Sequence, residues 1–449
     1  MTSRSRKPAW PLLVLAFLAS VLLLAAQKIS LPPRLVFAAA AGGSKALSAK
    51  DRIQVFEKVW KDIDDTYYDP QFHGVNWKEV HDRYLPLLGQ VKTDADFYDL
   101  LNRMTGELHD AHTRFNTPQQ WEDRQKQQGL IMGFQADEID GKTVITTVLP
   151  NSSAARAGVQ PGMIVLSVEG QPIADRLAEF SREAPVSSSE RITEVHIISA
   201  ALAGTPGEPT KFAFARADGS SWPISLSRQL MLLPPDVVSH TLPSGYAYIR
   251  FDGFERGVDK EFHDALASFR NSPGLIVDLR WNGGGRSDVL NAITGFFLNQ
   301  ETVIARSMAR KDVGISESSF PDSAHRTEFK AGKNGGQQYS GSVVILTSVR
   351  TASSSELFAG ALQELGRAKI VGSQTCGCVI GIHNQRAMKG GGVLEVSQIL
   401  WFSIKGRKYE GEGIIPDETV LPTIAALQQN RDVVLAAAEQ LLRARAAKQ

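Results

Sequence analysis

The sequence predicts a multidomain protein of the α/β and α+β classes, because three stretches of different pattern follow one another. Residues 46–125 carry apolar side chains at three- and four-residue steps, the period of amphipathic helices. Residues 126–230 change to short apolar runs separated by turns, which predicts a small β domain. Residues 231–422 alternate strand-like runs with helical patterns, as an α/β core does.

Composition narrows the class of protein. The chain has 449 residues, enough for several domains, and an Ala- and Leu-rich C-terminal helix is predicted over 423–449. A net charge of +1 and 22% charged residues give no sign of a nucleic-acid partner. The only cysteines, Cys376 and Cys378, exclude a disulfide framework.

Residues 1–45 predict export. Three basic residues in the first seven precede the uncharged apolar run 10–26, which is typical of an export signal. The run is long for a cleaved signal peptide and short for a membrane span, so cleavage and retention as an inner-membrane anchor both stay open. The basic flank places the body of the protein outside the cytoplasm, as a periplasmic or secreted protein.

The helical front segment ends in the motif L-H-D-A-H-T, which contains His109 and His112. A histidine there can be structural or can serve as a general base. The His-x-x-His spacing has no further ligand cluster, so we expect no metal and no cofactor.

Residues 150–170 closely resemble the PDZ pattern of a capped helix, a glycine turn and a strand, with Met163 replacing the usual aspartate. A PDZ domain adds an extended peptide to a sheet edge and holds its terminal carboxylate on loop N–H groups. Residues 174–200 are longer than the usual connection, so the groove helix is hard to place. The alternative is a PDZ-like domain that binds no peptide and only separates two other parts of the protein. By resemblance, the peptide-binding edge is Leu130, Ile131, Met132, Gly133 and Phe134.

Two turns in the core region point to chemistry. A strand-like run over 343–347 leads through Ser353, Ser354 and Ser355 into a helical pattern, so a serine and the first helix N–H groups face the same space. The alternative is a simple helix cap. A second strand run precedes Gly283–Gly285, whose N–H groups fit an oxyanion hole or a tight turn, but not a phosphate loop.

These motifs, in this order, resemble the tail-specific, or C-terminal processing, serine protease family from about Asp51 to Leu421. They include D-L-R-x-N-x-G-G, T-A-S-x-S-E and a closing E-G-E-G-I-I-P-D. The resemblance implies a ClpP/crotonase-like core that cuts polypeptides with free C-termini, and Ser353 as the nucleophile. In the better-known branch a lysine is the base, but Cys378 stands at that position and Ile382 replaces its glutamine partner.

The branch that resembles tricorn protease fits better. There the base is a histidine of the front segment and a closing-motif glutamate supports the catalytic serines, which implies His112 and Glu410 here. The serine before the tricorn histidine is Ala111 in this chain.

The resemblance further implies Gly284 and Ser354 as oxyanion donors and Ser355 as a supporting hydroxyl, although which glycine of 283–285 donates stays open. Cys376 and Cys378 form a local disulfide or pack as thiols. Lys389 is a weaker candidate for the base, because its spacing matches neither branch.

Two functions therefore stand. The first is an exported serine endopeptidase with Ser353, His112 and Glu410. The second is a non-catalytic PDZ peptide-binding protein, in which loss of the lysine left an inactive core.

Overall fold

The computed structural model describes residues 46–183, 186–205, 207–233, 237–310, 324–332 and 339–446. The predicted export segment, with its apolar run 10–26, lies outside these residues. Within the described ranges, no helix combines the length and apolarity that a membrane span needs.

The front segment is helical, as its periodicity predicts. Its first helix begins at a capping box between Ser48 and Asp51, and its apolar face buries Phe56, Val59 and Ile63. The elements are α1 (Ala49–Thr66), α2 (Trp77–Tyr84), α3 (Asp94–Gly106), β1 (Arg114–Asn116) and α4 (Pro118–Gln125).

The PDZ-like module follows. Its elements are β2 (Gln128–Ile131), β3 (Phe134–Ile139), β4 (Lys142–Val148), α5 (Ser153–Ala157), β5 (Ile164–Val168), β6 (Gln171–Pro172), α6 (Ile173–Glu183), α7 (Glu190–Ala201), β7 (Thr210–Ala215), β8 (Ser221–Leu226) and β9 (Gln229–Leu232). The sheet order is β3-β4-β5-β7-β8, with β6 beside β5, while β2 and β9 form a separate ribbon. The long connection after β6 is therefore two helices.

One strand prediction is wrong. The run Leu130–Phe134 is not a single strand, because the chain turns at Gly133, whose φ is +87°. Leu130 and Ile131 belong to the ribbon with β9, and β3, an edge strand of the PDZ-like sheet, begins at Phe134. The apolar pattern continues through the glycine, so only the φ > 0 preference of glycine signals the break.

The core is built on a largely parallel sheet. Its elements are β10 (Val237–Thr241), β11 (Ala247–Phe251), α8 (Val258–Ser268), β12 (Gly274–Asp278), α9 (Ser287–Gly295), β13 (Thr302–Arg310), β14 (Ala324–Ala331), β15 (Ser342–Thr347), α10 (Ser354–Glu364), β16 (Ala368–Gly372), β17 (Ile380–Gly381), β18 (Gln385–Ala387), β19 (Val393–Glu395), β20 (Ile399–Phe402), β21 (Glu418–Thr419), α11 (Ile424–Gln428) and α12 (Val433–Ala446). The strand order of the main sheet is β10-β11-β12-β15-β16-β21, beside smaller sheets β14-β13-β20-β17 and β1-β19-β18.

The predicted α/β and α+β multidomain class is confirmed, and the fold joins distant parts of the chain. Strand β1, which follows the His112 turn, pairs antiparallel with β19 of the core, with Phe115 opposite Leu394. The parallel strands β12 and β15 end at one edge of the sheet, and the glycine loop and the serine turn follow them. Loops at the carboxyl ends of adjacent parallel strands are where α/β sheets bind ligands.

Candidate active site

Ser353 stands at the turn between β15 and α10 in a backbone conformation that non-glycine residues seldom adopt. Its φ is 57° and its ψ is −121°. Its N–H donates to the carbonyl of Cys378 at 2.9 Å and to Glu356 Oε2 at 3.0 Å. Strain of this kind persists only where neighbours hold the residue, and it is concentrated at functional sites.

The glycine loop lies directly against this serine. A Cβ on Gly284, whose φ is +96°, would stand 2.6 Å from Ser353 Cβ and 2.9 Å from the Ser354 nitrogen. Only glycine allows this approach. The Ser354 hydroxyl ties the two turns together by donating to the Gly285 carbonyl at 2.8 Å.

The predicted oxyanion donors differ in their bonding. The Ser354 N–H has no acceptor among the described residues, as expected for the first N–H of a helix. The Gly284 N–H already donates to Asn282 Oδ1 at 3.0 Å. Ser355, predicted to support the site, donates its hydroxyl to the same Oδ1 at 2.6 Å and so fixes the glycine loop.

Glu356 is a residue that the sequence analysis missed. It is fully buried, and its carboxylate accepts hydrogen bonds from the Thr375 hydroxyl and from the backbone N–H groups of Ser353, Gly377 and Cys378. Burial raises its pKa to about 7. It joins Ser353 to the loop that occupies the lysine position of the other branch. Its place three residues after a helix-capping serine was the available signal.

His112 sits in a turn that Asp110 holds. Asp110 Oδ1 accepts the N–H of His112 at 2.8 Å, the N–H of Thr113 at 2.6 Å and the hydroxyl of Ser397 at 2.6 Å. Burial, aided by the positive charge of Arg114, lowers the pKa of His112 to about 4. The imidazole is therefore neutral at pH 7, the state in which it can accept a proton. Its buried Nδ1 has no hydrogen-bond partner among the described residues.

Glu410 is only 5% exposed, and its Oε2 accepts the N–H of Val379 at 2.6 Å. Burial raises its pKa to about 8, and the negative charges of Asp110 and Glu356 act in the same direction. The hydrogen bond from the Val379 N–H opposes the shift. Glu410 thus lies within reach of the charges of both Asp110 and Glu356 and is largely protonated at neutral pH.

Cys376 and Cys378 form a disulfide with their Cα atoms 5.2 Å apart. Both cysteines are buried with Ile192, and Ala111 and Ala352 pack against this cluster. Ala111 precedes His112 and Ala352 precedes Ser353, so the structure brings both halves of the predicted site to the same disulfide.

Other sequence candidates lie elsewhere. Lys389 pairs with Asp51 near the start of α1. Among the described residues, no group of three or more His, Cys, Asp or Glu side chains is placed to hold a metal.

The PDZ-like edge also reaches the serine turn. Arg350, three residues before Ser353, donates to Asp137 Oδ1 at 2.5 Å and to the Ala136 carbonyl at 3.3 Å, both on β3. Of the predicted groove residues, Met132 and Gly133 form the turn before this edge, and Leu130 is 56% exposed on the separate ribbon.

Three family models match the chain. They are a tricorn protease C1 domain over residues 48–106, a PDZ domain over 144–195 and peptidase family S41 over 245–420.

Two relatives are similar to this protein along most of the chain. A putative tricorn protease homolog 2 of Streptomyces coelicolor is 25% identical over 86% of this chain and 32% of its own length. A carboxyl-terminal-processing protease of Synechocystis is 25% identical over 88% of both chains. The chain spans about a third of the length of the two Streptomyces tricorn homologs that it matches, at 32% and 33%.

Solved structures share the fold. The photosystem II D1 C-terminal processing protease superimposes with a TM-score of 0.55 at 20% identity, covering 87% of this chain and 97% of its own. Mature CPAF, in complex with lactacystin, superimposes with a TM-score of 0.66 at 15% identity, covering 89% of this chain and 99% of its own.

Proposed function

Because the chain belongs to the C-terminal processing and tricorn-like serine proteases of peptidase family S41, we propose that it is an exported serine endopeptidase that cleaves polypeptides near their C-termini. The observation that carries this proposal is the local structure around Ser353. A strained serine begins a helix, a glycine loop that tolerates no Cβ lies against it, and the next N–H is free among the described residues. An acyl-transfer nucleophile needs these features.

His112 is the proposed general base. A neutral imidazole takes the proton of the Ser353 hydroxyl as that oxygen attacks the scissile carbonyl, and then gives it to the leaving amine. Its low pKa in the free protein makes it a weak base. The negative charge that develops on the tetrahedral intermediate raises that pKa when proton transfer is needed.

The Ser354 N–H is the proposed first donor to the oxyanion. The Gly284 N–H supplies the second when the substrate oxygen competes with Asn282 Oδ1 for it. Glu410 supports the site as a neutral carboxyl. Because it keeps its proton at neutral pH, it can donate a hydrogen bond.

Substrate capture is assigned to the open edge β3 and the turn at Met132 and Gly133 that precedes it. An extended C-terminal segment adds to such an edge through backbone hydrogen bonds. Arg350 already bonds to this strand, so a captured peptide lies close to the serine turn. Export is supported by the basic flank and apolar run of residues 1–26.

A non-catalytic peptide-binding protein is the second candidate, because a disulfide-bonded Cys378 occupies the lysine position of the other branch. One experiment separates the two. Purified full-length protein is incubated with an unstructured peptide that ends in a free carboxylate, and with the same peptide amidated.

The endopeptidase proposal expects cleavage by the wild type, no cleavage by Ser353→Ala, and slower cleavage of the amidated peptide. Binding of the free peptide without any cleavage identifies the second candidate. Equal cleavage of both peptides contradicts capture of the terminal carboxylate.

A further inference from the structure

A disulfide between Cys376 and Cys378 bends the loop that faces the serine turn. The two Cα atoms are 5.2 Å apart, whereas residues two positions apart in an extended strand are separated by about 6.6 Å. Gly377, between them, has a φ of +72°, which favours glycine. The bond between the sulfurs therefore holds a bend that the loop could otherwise lose by straightening.

Both cysteines are hydrogen-bonded to the serine turn through their backbone. The N–H of Cys376 donates to the Thr351 carbonyl at 3.0 Å, and the Cys378 carbonyl accepts the N–H of Ser353 at 2.9 Å. Ala352, between these two partners, packs against the cysteines. The disulfide thus sets the spacing of one donor and one acceptor that hold the turn on either side of Ala352.

Glu356 joins the same loop to the same turn. Its Oε2 accepts the N–H of Ser353 and the N–H of Cys378, each at 3.0 Å. Its Oε1 accepts the N–H of Gly377 at 2.8 Å. The two acceptors of the Ser353 N–H are therefore the loop itself and a carboxylate that is bonded to the loop.

The loop is also held from its other side. The Gly377 carbonyl accepts the N–H of Gly411 at 2.8 Å, and the Cys376 carbonyl accepts the hydroxyl of the buried Ser189 at 2.6 Å. A Cβ on Gly377 would stand 2.8 Å from the carbonyl carbon of Gly411. The loop therefore packs tightly between the serine turn and the residue that follows Glu410.

The strained backbone of Ser353 depends on these contacts. A residue with a φ of 57° keeps that conformation only while its neighbours hold it. If the loop straightens, the Cys378 carbonyl leaves the Ser353 N–H, and Glu356 loses the N–H donors of the loop. Ser353 can then relax to an ordinary backbone conformation, which changes the direction of its hydroxyl relative to the Ser354 N–H.

We propose that the disulfide of Cys376 and Cys378 is a positioning element of the proposed active site. It holds Ser353 in its strained conformation, so that the protein hydrolyses peptides rapidly only while this disulfide is formed. The kinetic part of the inference rests on the proposed peptidase function, whereas the hold on the serine turn does not. An exported protein meets the oxidising conditions under which such a bond persists.

Reduction removes the bond and leaves both side chains in place. A thiolate of dithiothreitol attacks one cysteine sulfur, and the second thiol of the reagent then displaces that sulfur from the mixed disulfide. The two cysteines gain two electrons and two protons, and the dithiothreitol becomes a cyclic disulfide. The chain contains only these two cysteines. Because each is only 2% exposed, the full-length protein is reduced in urea and refolded with the dithiol present.

The test compares oxidised wild type, reduced wild type, wild type reoxidised after reduction, and the double variant Cys376→Ala, Cys378→Ala. The double variant, with and without dithiothreitol, is the control for effects of the reagent elsewhere. The first readout is amide hydrogen exchange by mass spectrometry, which needs no turnover. It follows a fragment over residues 349–358 and, as a reference, one over β11, two strands from β15 in the main sheet. The second readout is peptide hydrolysis, analysed as kcat and KM.

We expect the reduced wild type and the double variant to exchange the protected amides of residues 353–356 at least about tenfold faster, with β11 unchanged. We expect kcat to fall at least about tenfold and KM to change less than about twofold. Reoxidation should restore both quantities in the wild type, and dithiothreitol should change neither in the double variant.

Equal exchange over residues 349–358 in oxidised and reduced wild type overturns the inference. So does an equal acceleration over β11, since the disulfide is then a general stabiliser of the core. A reduced wild type with the kcat of the oxidised protein also overturns it. If the oxidised wild type itself hydrolyses nothing, the proposed function fails, and the exchange measurement still decides whether the disulfide holds the serine turn.

Discussion

The two halves of the proposed active site are built in different ways. The serine half is assembled inside the core, where the turn after β15, the glycine loop after β12 and the buried carboxylate of Glu356 hold one another by short hydrogen bonds. The histidine half is assembled from three modules: the front segment supplies the turn, the PDZ-like module supplies Ser188 and the core supplies Ser397.

This difference separates two properties of the site. The serine half can stay rigid when the contacts between modules loosen, because adjacent parallel strands of the core hold it. The histidine half depends on docking, because contacts between modules are more easily lost than contacts within a core. We therefore expect substitutions in the serine half to abolish activity. We expect substitutions in the histidine half to reduce activity by an amount that depends on how much they weaken the contacts between modules.

The largest effect is expected from Gly284→Ala. The added Cβ would stand 2.6 Å from Ser353 Cβ and 2.8 Å from the Ala352 carbonyl oxygen, so one of the two turns must shift. We expect kcat/KM for peptide hydrolysis to fall by at least about 100-fold, the cost of a misplaced nucleophile or a lost oxyanion donor. Gly283→Ala is the control, since its Cβ meets no atom within 4 Å. Similar losses in both variants would contradict the close approach.

Glu356→Gln tests whether the buried carboxylate aligns the nucleophile. The substitution replaces one of the two carboxylate oxygens by an amide nitrogen. Backbone N–H groups donate to both oxygens, so the amide nitrogen would face a donor and the side chain loses at least one hydrogen bond. We expect kcat to fall about 10- to 100-fold together with a lower unfolding midpoint. Glu364→Gln, at the other end of α10, should retain kcat within about twofold. If the two variants have equal kcat, Glu356 has only a packing role.

The histidine half predicts a pH effect on stability. The pKa of Glu410 is raised to about 8, so between its unfolded value and about 8 the folded state keeps a proton that the unfolded state has released. Stability therefore falls as pH rises, by about 1.4 kcal/mol per pH unit for one group.

That slope is best measured by urea unfolding between about pH 7 and about pH 8, above the ordinary pKa of histidine and the pKa of about 7 of Glu356, so that His112 and Glu356 contribute least. Glu410→Gln keeps an uncharged acceptor for the Val379 N–H and should flatten the slope. An unchanged slope in this variant would show that Glu410 is ionised in the folded protein.

The smallest effect is expected from Lys389→Ala. This lysine pairs with Asp51 near the start of α1, at an exposed position. We expect kcat/KM to stay within about twofold of wild type, as for surface substitutions in general. A loss approaching that of Ser353→Ala would transfer the role of base from His112 to Lys389.

More residues of the serine half than of the histidine half could be proposed from the sequence. Ser353, Ser354 and the glycine loop follow strands whose apolar runs are visible, and parallel strands that are adjacent must end together. Glu356 was missed because a glutamate after a capping serine is an ordinary helix signal, and its burial depends on a loop twenty residues further on. The contact of Ser188 with the His112 turn had no local signal, since the Ala111 N–H that its hydroxyl accepts lies 77 residues before it.

The PDZ-like edge shows the same limit. The apolar run Leu130–Phe134 looks continuous, and only the three-dimensional pairing of Ile131 with β9 and of Phe134 with β4 divides it. A pattern of side chains predicts that a strand exists, whereas the partner that each residue finds depends on distant chain.

The central claim is that Ser353 and His112, which lie far apart in the sequence, act as one catalytic unit. The most direct measurement is kcat/KM of wild type and His112→Ala with an unstructured peptide, with Ser353→Ala as the background and unfolding midpoints as the check on folding. The account predicts that His112→Ala remains folded and loses at least about 1000-fold in kcat/KM, close to the Ser353→Ala background. A folded His112→Ala that keeps activity within about threefold of wild type would contradict it.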